Sequence, residues 1–502
     1  MNNGGVRVIS LGGLTEIGSK NCYLVIDSNG NGILLDCGRH VGDCDDEDGT
    51  TENLNLMPNF SAIPDDVKRI VAVCISHGHL DHIGGINEFL KFYYHSSRFE
   101  GQPSPKIVGS SHTIRVIKML EYHAMYKSNP PELEMEYAMH NPDDTTHDIS
   151  REVKAGEDIF WDASTNILRR VTKTSAPDAE DIVIHAFKVN HSIPEALGFV
   201  VEVGGKKIVY TGDVKLHGKN QEETSAFARV LAQDKKIKNA DLALVDATGS
   251  NKAGTGESDE IPIDCIIEVI ENNPDSRVFV TTFSSHIDRI EGVMRRIKRP
   301  IILHGTSVIG HMKYARLNYP GKGGWSRYTY GRDEVPKNAV IFLTGSQGEE
   351  LSALVRLIND EKYDNAQEDI HFSSKDVIIF AARAIPGNEH KVADMLRKLK
   401  YFGCKIFYPI DHCEDGQENC LHASWSHYPG WAYEAAAGRI SFDRFHVSGH
   451  AYQQDLADIL RAFNPKRVVP IHADRDRRVK MARHFSGRYE FIIAEEGEEI
   501  IV

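Results

Sequence analysis

The sequence has no apolar run approaching the roughly 18 residues that a membrane-spanning helix requires, and it has no low-complexity tract, internal repeat or long linker. These absences exclude a helical membrane protein, a solenoid and a wholly disordered chain. Cysteine is sparse, eight in 502 residues. Cys22, Cys37, Cys44, Cys74, Cys265, Cys404, Cys413 and Cys420 are scattered without the dense spacing of a disulfide framework, which fits a reducing compartment. Neither a basic n-region nor an apolar h-region follows Met1, so no export signal is read and the cytoplasm is the expected location. Positive charge is in deficit: 58 Lys and Arg face 72 Asp and Glu, a formal net charge of -14. Such a chain repels a polyanion unless basic residues gather locally or bound metal reverses the field.

Against these deficits stands a surplus of 24 histidines. Imidazole is polar and offers a core little that leucine would not, so the surplus points to metal or acid–base chemistry. The sharpest signal is His77-Gly78-His79-Leu80-Asp81-His82. It follows an apolar strand pattern over 70–75 and precedes Gly84-Gly85 and a helical pattern over 83–94. In an extended loop, residues two apart point the same way. His77 and His79 can therefore grip one metal ion while Asp81 and His82 turn toward a second. Imidazole and carboxylate suit Zn²⁺, with Mn²⁺ as the next candidate. A solvated, histidine-rich helix start is the bland alternative, and four potential ligands in six residues weigh against it.

Two ions need further ligands, and isolated candidates follow β-rich runs elsewhere. His191 stands in Val189-Asn190-His191-Ser192, Asp213 in Tyr210-Thr211-Gly212-Asp213, and His472 in Val469-Pro470-Ile471-His472. Each alone reads more readily as structural; as an ordered set they read as loops at one edge of a sheet. Asp213 is the candidate bridge, because a carboxylate can share its oxygens between two cations. The long gap between Asp213 and His472 calls for a domain inserted into the metal-binding fold.

The patterns along the chain agree. Short β-rich runs at 6–10, 22–27, 32–35, 182–189, 197–203 and 207–211 are broken by turns, and 120–180 reads as a polar insertion with some helix. From about 222, strands (242–245, 278–282, 340–343, 376–380) alternate with helices (261–271, 287–297), which favours a parallel sheet with crossover helices. A helix at 455–463 and strands at 467–470 and 491–494 return at the end. The expected division is 1–221 and 447–502 for one domain and 222–446 for the insert. Residues 411–440 are irregular, and His412, Cys413, Cys420, His422 and His427 there form a weaker candidate for an extra structural zinc, against which Trp425, Tyr428 and Trp431 suggest packing. The basic runs 295–299 and 475–480 read either as solvated surface or as a nucleic-acid channel.

With these residues in place, the sequence resembles the metallo-β-lactamase superfamily and, within it, the β-CASP nucleases of the ribonuclease J type, over nearly the whole chain. The opening Leu11-Gly12-Gly13-Leu14-Thr15-Glu16-Ile17-Gly18, Asp36, Asn190-His191-Ser192-Ile193-Pro194 and Thr211-Gly212-Asp213 match family motifs. So do Asp246-Ala247-Thr248-Gly249-Ser250-Asn251, Val447-Ser448-Gly449-His450-Ala451, Thr344-Gly345-Ser346-Gln347-Gly348-Glu349 and Ile385-Pro386-Gly387-Asn388. The resemblance implies an α/β fold, a metallo-β-lactamase αββα sandwich with an inserted α/β β-CASP domain. It implies two Zn²⁺ per chain: one on His77, His79 and His191, the other on Asp81, His82 and His472, with Asp213 bridging. It places His450 at the scissile phosphate, with Asp246 supporting the metal site by a hydrogen bond. Ser346, Ser448, Gly449 and His450 would seat substrate phosphates, and Thr282-Phe283-Ser284-Ser285-His286 resembles a further strip of that surface.

The implied activity is hydrolysis of single-stranded RNA, as an endonuclease, a 5′-to-3′ exonuclease or both. A DNA nuclease of the same architecture, a small-molecule lactonase or thioesterase and a non-catalytic partner subunit are the rival readings. No membrane partner is implied, and a homodimer is left open.

Overall fold

The computed structural model describes residues 5–41, 56–127, 150–165, 167–218, 227, 229, 231, 233–318, 328–329, 335–349, 352–359, 370–385, 388–409 and 440–502. The chain divides into two compact units. The first comprises Met1–Gly218, Glu222–Gly256 and Gly449–Val502, and the second is chiefly Glu257–Ser448.

Among the described residues the first unit holds two sheets. One runs in the order Glu499–Ile501, Arg7–Gly12, Cys22–Ile26, Asn31–Leu35, Arg69–Cys74, Lys106–Gly109, Ser150–Glu152. The other runs Glu490–Phe491, Arg467–Ile471, Leu242–Asp246, Lys206–Tyr210, Leu197–Val203, Ile182–Lys188, Asp158–Asp162, Ile167–Arg170. Alternation along the strands decides how they stack. Val8, Tyr23, Val25, Ile33 and Leu35 of the first sheet share one buried cluster with Phe199, Val201, Ile208, Tyr210, Leu244 and Ile471 of the second. The intervening residues of the second sheet, Val200, Val209, Ala243, Val245 and Val468, face away and bury Leu456, Ile459, Leu460 and Phe463 of the helix Gln453–Phe463 and Met481 of the helix Arg475–His484. Each such side chain contributes roughly 1.5–3 kcal/mol by burial. The helix Ser111–Lys127 lies against Lys106–Gly109 and Ser150–Glu152 of the first sheet, which completes an α/β/β/α sandwich.

The second unit carries a seven-stranded sheet in the order Tyr328–Thr329, Ile301–His304, Val340–Leu343, Val278–Thr281, Val377–Phe380, Lys405–Pro409, Ile440–Asp443, parallel throughout. Its strands read as apolar runs because both faces are covered. Helices Glu260–Glu271 and Ile287–Arg296 pack on one face, and Ala353–Ile358 and Glu389–Tyr401 on the other.

Several expectations are revised. The strand Leu242–Asp246, expected in the insert that begins at 222, belongs to the first unit, where it pairs in parallel with Lys206–Tyr210 and Arg467–Ile471. In the described part of 120–180, 120–127 is helix, as expected, but three short strands were not expected: Asp158–Asp162 and Ile167–Arg170 extend one sheet and Ser150–Glu152 the other. Ile167–Arg170 and Ser150–Glu152 are edge strands, and edge strands carry charges that mask apolar alternation. The helix expected over 83–94 is split at Gly84-Gly85 into Leu80–Ile83 and Ile86–His95.

Both basic runs are engaged by intramolecular partners. Arg295 pairs with Glu291 and Arg296 with Asp264, while Arg299 donates to the carbonyls of Ile270, Asn273, Ser276 and Asn338. Arg475 pairs with Glu495, Arg477 with Asp474 and Lys480 with Asp476, and buried Arg478 donates to the Ala494 carbonyl at 2.6 Å. The hydrogen bonds and ion pairs favour the surface reading over a nucleic-acid channel.

Candidate metal centre

All seven candidate ligands lie in the first unit, in loops that leave strands at one edge of its sheets. The strand Arg69–Cys74 leads to His77, His79, Asp81 and His82; Ile182–Lys188 to His191; Lys206–Tyr210 to Asp213; and Arg467–Ile471 to His472. They gather into two sets. His77, His79, His191 and Asp213 place one ligand atom each within 4.8 Å of the others, and so do Asp81, His82, Asp213 and His472.

Asp213 is divided between them. Its Oδ2 faces the first set, 3.8 Å from His77 Nε2 and 3.5 Å from His191 Nε2. Its Oδ1 faces the second, 3.2 Å from His82 Nε2 and 3.5 Å from His472 Nε2. Oδ1 is buried and accepts no hydrogen bond. An orphaned, buried carboxylate oxygen among imidazole nitrogens fits a cation. The spacing fits too: His77 Nε2 and His191 Nε2 lie 2.9 and 3.2 Å from His79 Nδ1, close to the roughly 3.3 Å edge of a tetrahedron with Zn–N bonds of 2.0–2.1 Å.

The electrostatics differ between the sets. Burial holds His77 and His191 well below the ordinary imidazole pKa and His79 down to about 4, so these rings are neutral and present lone pairs. Burial would also lower His472, but the Asp213 and Asp81 carboxylates override it and carry the ring up to about 9; His82 is raised in the same way. Asp213 and Asp81 are lowered despite their burial, mainly by those two imidazoles. The second set thus demands positive charge, which a divalent ion supplies as well as two protons do.

The rear nitrogens are tied down, which fixes ring direction. His82 Nδ1 meets Asp36 Oδ2 at 2.5 Å. Asp36 also accepts from the Ser76 amide at 2.6 Å, the Ser76 hydroxyl at 2.7 Å and the Tyr210 hydroxyl. Ser76 Oγ is 2.9 Å from His77 Nδ1, and His191 Nδ1 donates to the Gly449 carbonyl at 2.8 Å. His472 Nδ1 meets the Thr248 hydroxyl at 2.7 Å. Asn21, buried beside the loop, brings its amide nitrogen to 3.3 Å from His82 Nε2.

His450 and Asp246 form a separate pair, Nδ1 to Oδ2 at 2.7 Å, with the His450 ring stacked on His472 at 5.3 Å between centroids. The expected support of the metal site by Asp246 takes a different form: Asp246 Oδ1 is 3.9 Å from His472 Nδ1, beyond hydrogen-bonding reach, and it is Thr248 that bonds the ring. Thr248, Ser76, Tyr210 and Asn21 were not singled out by sequence reasoning, although Tyr210 and Thr248 stand inside motifs that were and Ser76 directly precedes one.

Ser284, Ser346 and Ser448 belong to the second unit. Ser346 is buried and Gln347 spans its neighbourhood, donating to the Arg383 carbonyl at 2.7 Å and accepting from the Ile385 amide at 2.6 Å. Ser284 Oγ accepts from the Ser307 hydroxyl at 2.7 Å. Pro386, Gly387, His412, Cys413, Cys420, His422 and His427 lie outside the described residues.

The comparisons with known proteins agree with this fold. Residues 32–282 match the beta-lactamase superfamily domain, 275–399 the ribonuclease J beta-CASP domain, and 439–502 a Zn-dependent metallo-hydrolase RNA specificity domain. The chain belongs to the metallo-β-lactamase superfamily. Within it the chain is similar to ribonuclease J, through the β-CASP domain match over 275–399 and the relatives below. It is 26% identical over 480 residues to ribonuclease J of Mycobacterium tuberculosis (strain CDC 1551 / Oshkosh), covering 94% of this chain and 69% of that one. It is 26% identical over 493 residues to ribonuclease J of Helicobacter pylori (strain J99), covering 95% of this chain and 57% of that one. A solved protein of unknown function from Enterococcus faecalis V583 shares the fold with a TM-score of 0.57 at 17% identity, covering 99% of this chain and 100% of that one.

Proposed function

We propose that this chain is a metal-dependent ribonuclease that hydrolyses phosphodiester bonds of single-stranded RNA. The observation that carries the reading is Asp213, whose two oxygens face two separate ligand sets with the His450–Asp246 pair beside them. Zn²⁺ is the ion that suits the donors best, two per chain, with Mn²⁺ as the substitute. When bound, two divalent ions supply Lewis acidity and an acidified water for in-line attack at phosphorus.

The protein's own groups do the rest. His77, His79 and His191 would hold one ion and Asp81, His82 and His472 the other, with Asp213 placed to serve both. Asp246 holds the Nδ1 side of His450, so Nε2 is the nitrogen that meets the scissile phosphate and protonates the departing 3′ oxygen. Gly449 seats phosphate beside it, and Ser284, Ser346 and Ser448 are phosphate-binding candidates within the second unit. The RNA specificity domain match over 439–502 supports RNA over DNA.

The test uses labelled RNA and DNA oligonucleotides of matched sequence, each with 5′-phosphate and 5′-hydroxyl ends, and the Zn²⁺- or Mn²⁺-loaded protein. RNA degradation is expected, lost in Asp81→Ala or His82→Ala protein that remains folded. Product ladders separate internal cleavage from 5′-to-3′ trimming. Cleavage of DNA alone would reassign the substrate, and no cleavage of either at full metal occupancy overturns the reading.

A further inference from the structure

His472 is held in an unusual way. Its φ is 58°, the left-handed region that a residue with a Cβ adopts only when its surroundings impose it. The His472 amide donates to the Gly13 carbonyl at 2.8 Å. The Thr248 hydroxyl makes two contacts with the same histidine, 3.0 Å to its carbonyl oxygen and 2.7 Å to Nδ1.

A hydroxyl has one proton, and a carbonyl can only accept. The Thr248 proton therefore goes to the His472 carbonyl, and the hydroxyl oxygen must accept from Nδ1–H. Nδ1 then carries the ring's proton, and Nε2 is the nitrogen whose lone pair is presented. Nε2 lies 3.0 Å from Asp81 Oδ2 and 3.5 Å from Asp213 Oδ1, inside the second ligand set. A single side chain thus fixes both the backbone strain and the ring tautomer of one ligand. Asp246 is occupied otherwise: its oxygens take the Thr248 amide at 2.9 Å, the Val214 amide at 3.2 Å and His450 Nδ1 at 2.7 Å.

We propose that Thr248 is the positioning residue of the second metal set, presenting His472 Nε2 to the ion, and that Asp246 is thereby left free to serve His450. The proposal rests on the two-metal reading of the site. Its chemistry is that of a neutral second layer: a hydroxyl leaves the imidazole less basic than a carboxylate partner would, so His472 binds as a neutral ligand rather than an imidazolate.

The experiment strips the purified full chain of metal and titrates zinc into wild type, Thr248→Val, Thr248→Ala and Thr248→Ser, reading stoichiometry by elemental analysis and stepwise affinity by chelator competition. Thermal unfolding identifies which variants are folded. The expected result is two zinc ions in wild type. In Val and Ala variants one step is unchanged and the other is weakened about 10–100-fold, while the Ser variant stays within about threefold of wild type. Folded Val or Ala variants with both steps intact overturn the role of Thr248, as does a Ser variant as weak as Val. A wild type that takes up fewer than two ions overturns the two-metal reading itself, and the two failures are told apart by which protein shows them.

Discussion

His450 Nδ1 lies 2.7 Å from Asp246 Oδ2, and the same carboxylate accepts two backbone amides, from Val214 and Thr248. Asp246 is buried and held below the usual carboxylate range: burial pushes it up, and the His450 imidazole outweighs that. The histidine is aimed by a fixed anion that is itself pinned to two strand ends. His450→Ala is expected to lower single-turnover RNA cleavage roughly 10²–10⁴-fold, and Asp246→Asn by less, with zinc content unchanged in both. Loss of zinc in parallel with activity would place the pair among the ligands instead.

Gly38 sets the distance between two segments of the first unit. A Cβ there would stand 1.6 Å from the Asp81 carbonyl oxygen and 2.8 Å from the His82 amide nitrogen, both backbone atoms that cannot swing aside. Gly38→Ala is expected to displace the Asp81-His82 turn, so that the second zinc binds at least about tenfold more weakly and the melting temperature falls. Unaltered zinc titration in a Gly38→Ala protein would contradict the close approach.

Metal removal should be visible without substrate. The sets bury two carboxylates and four imidazoles, with His79 half-buried, and an ion that binds only the folded chain stabilises it by about 2.7 kcal/mol at one hundred times its dissociation constant. Chelation is expected to lower the melting temperature and added zinc to restore it. In Asp213→Asn, which weakens both sets, the zinc-dependent rise should be largely lost. A melting temperature indifferent to zinc in wild type would count against both sets.

His304, a residue of the second unit, offers a pH test of its own. Burial lowers its imidazole to about 4, while the unfolded chain titrates near the ordinary value of about 6.5. Between those values the unfolded state holds a proton that the folded state lacks, so this group makes stability rise with pH through the window and fall on acidification. The drop in melting temperature from pH 7 to pH 5 should therefore be smaller in His304→Gln than in wild type. An equal drop in both would exclude His304 as its source.

The candidate ligands were legible in the sequence because the chemistry restricts them to a few residue types, placed where strands end. The supporting layer was not. Thr248 and Asp246 stand two residues apart in one turn, and spacing alone does not tell which of them reaches His472. Tyr210 meets Asp36 across the sandwich, a contact set by which strands stack and invisible along the chain. In the fold, the apolar strand Leu242–Asp246 was recognised as a strand and placed in the wrong sheet, since its burial on both faces suits either. The strand Ile167–Arg170 was missed because its charges sit at a sheet edge. Most of the histidine surplus remains outside the metal centre; His185, for one, bridges Asp158 and Asp234 at 2.6 and 3.0 Å.

The strand Arg467–Ile471 slots between Glu490–Phe491, its neighbour in sequence, and Leu242–Asp246, which lies more than two hundred residues earlier. This has a consequence for biosynthesis. A growing chain carries His77, His79, His191 and Asp213 long before it carries His472, so the second ligand set cannot close until synthesis has passed that residue. On the proposed function, an enzyme acting on RNA thus lacks its second ligand set until His472 has left the ribosome's peptidyl-transfer site, inside an assembly built of RNA.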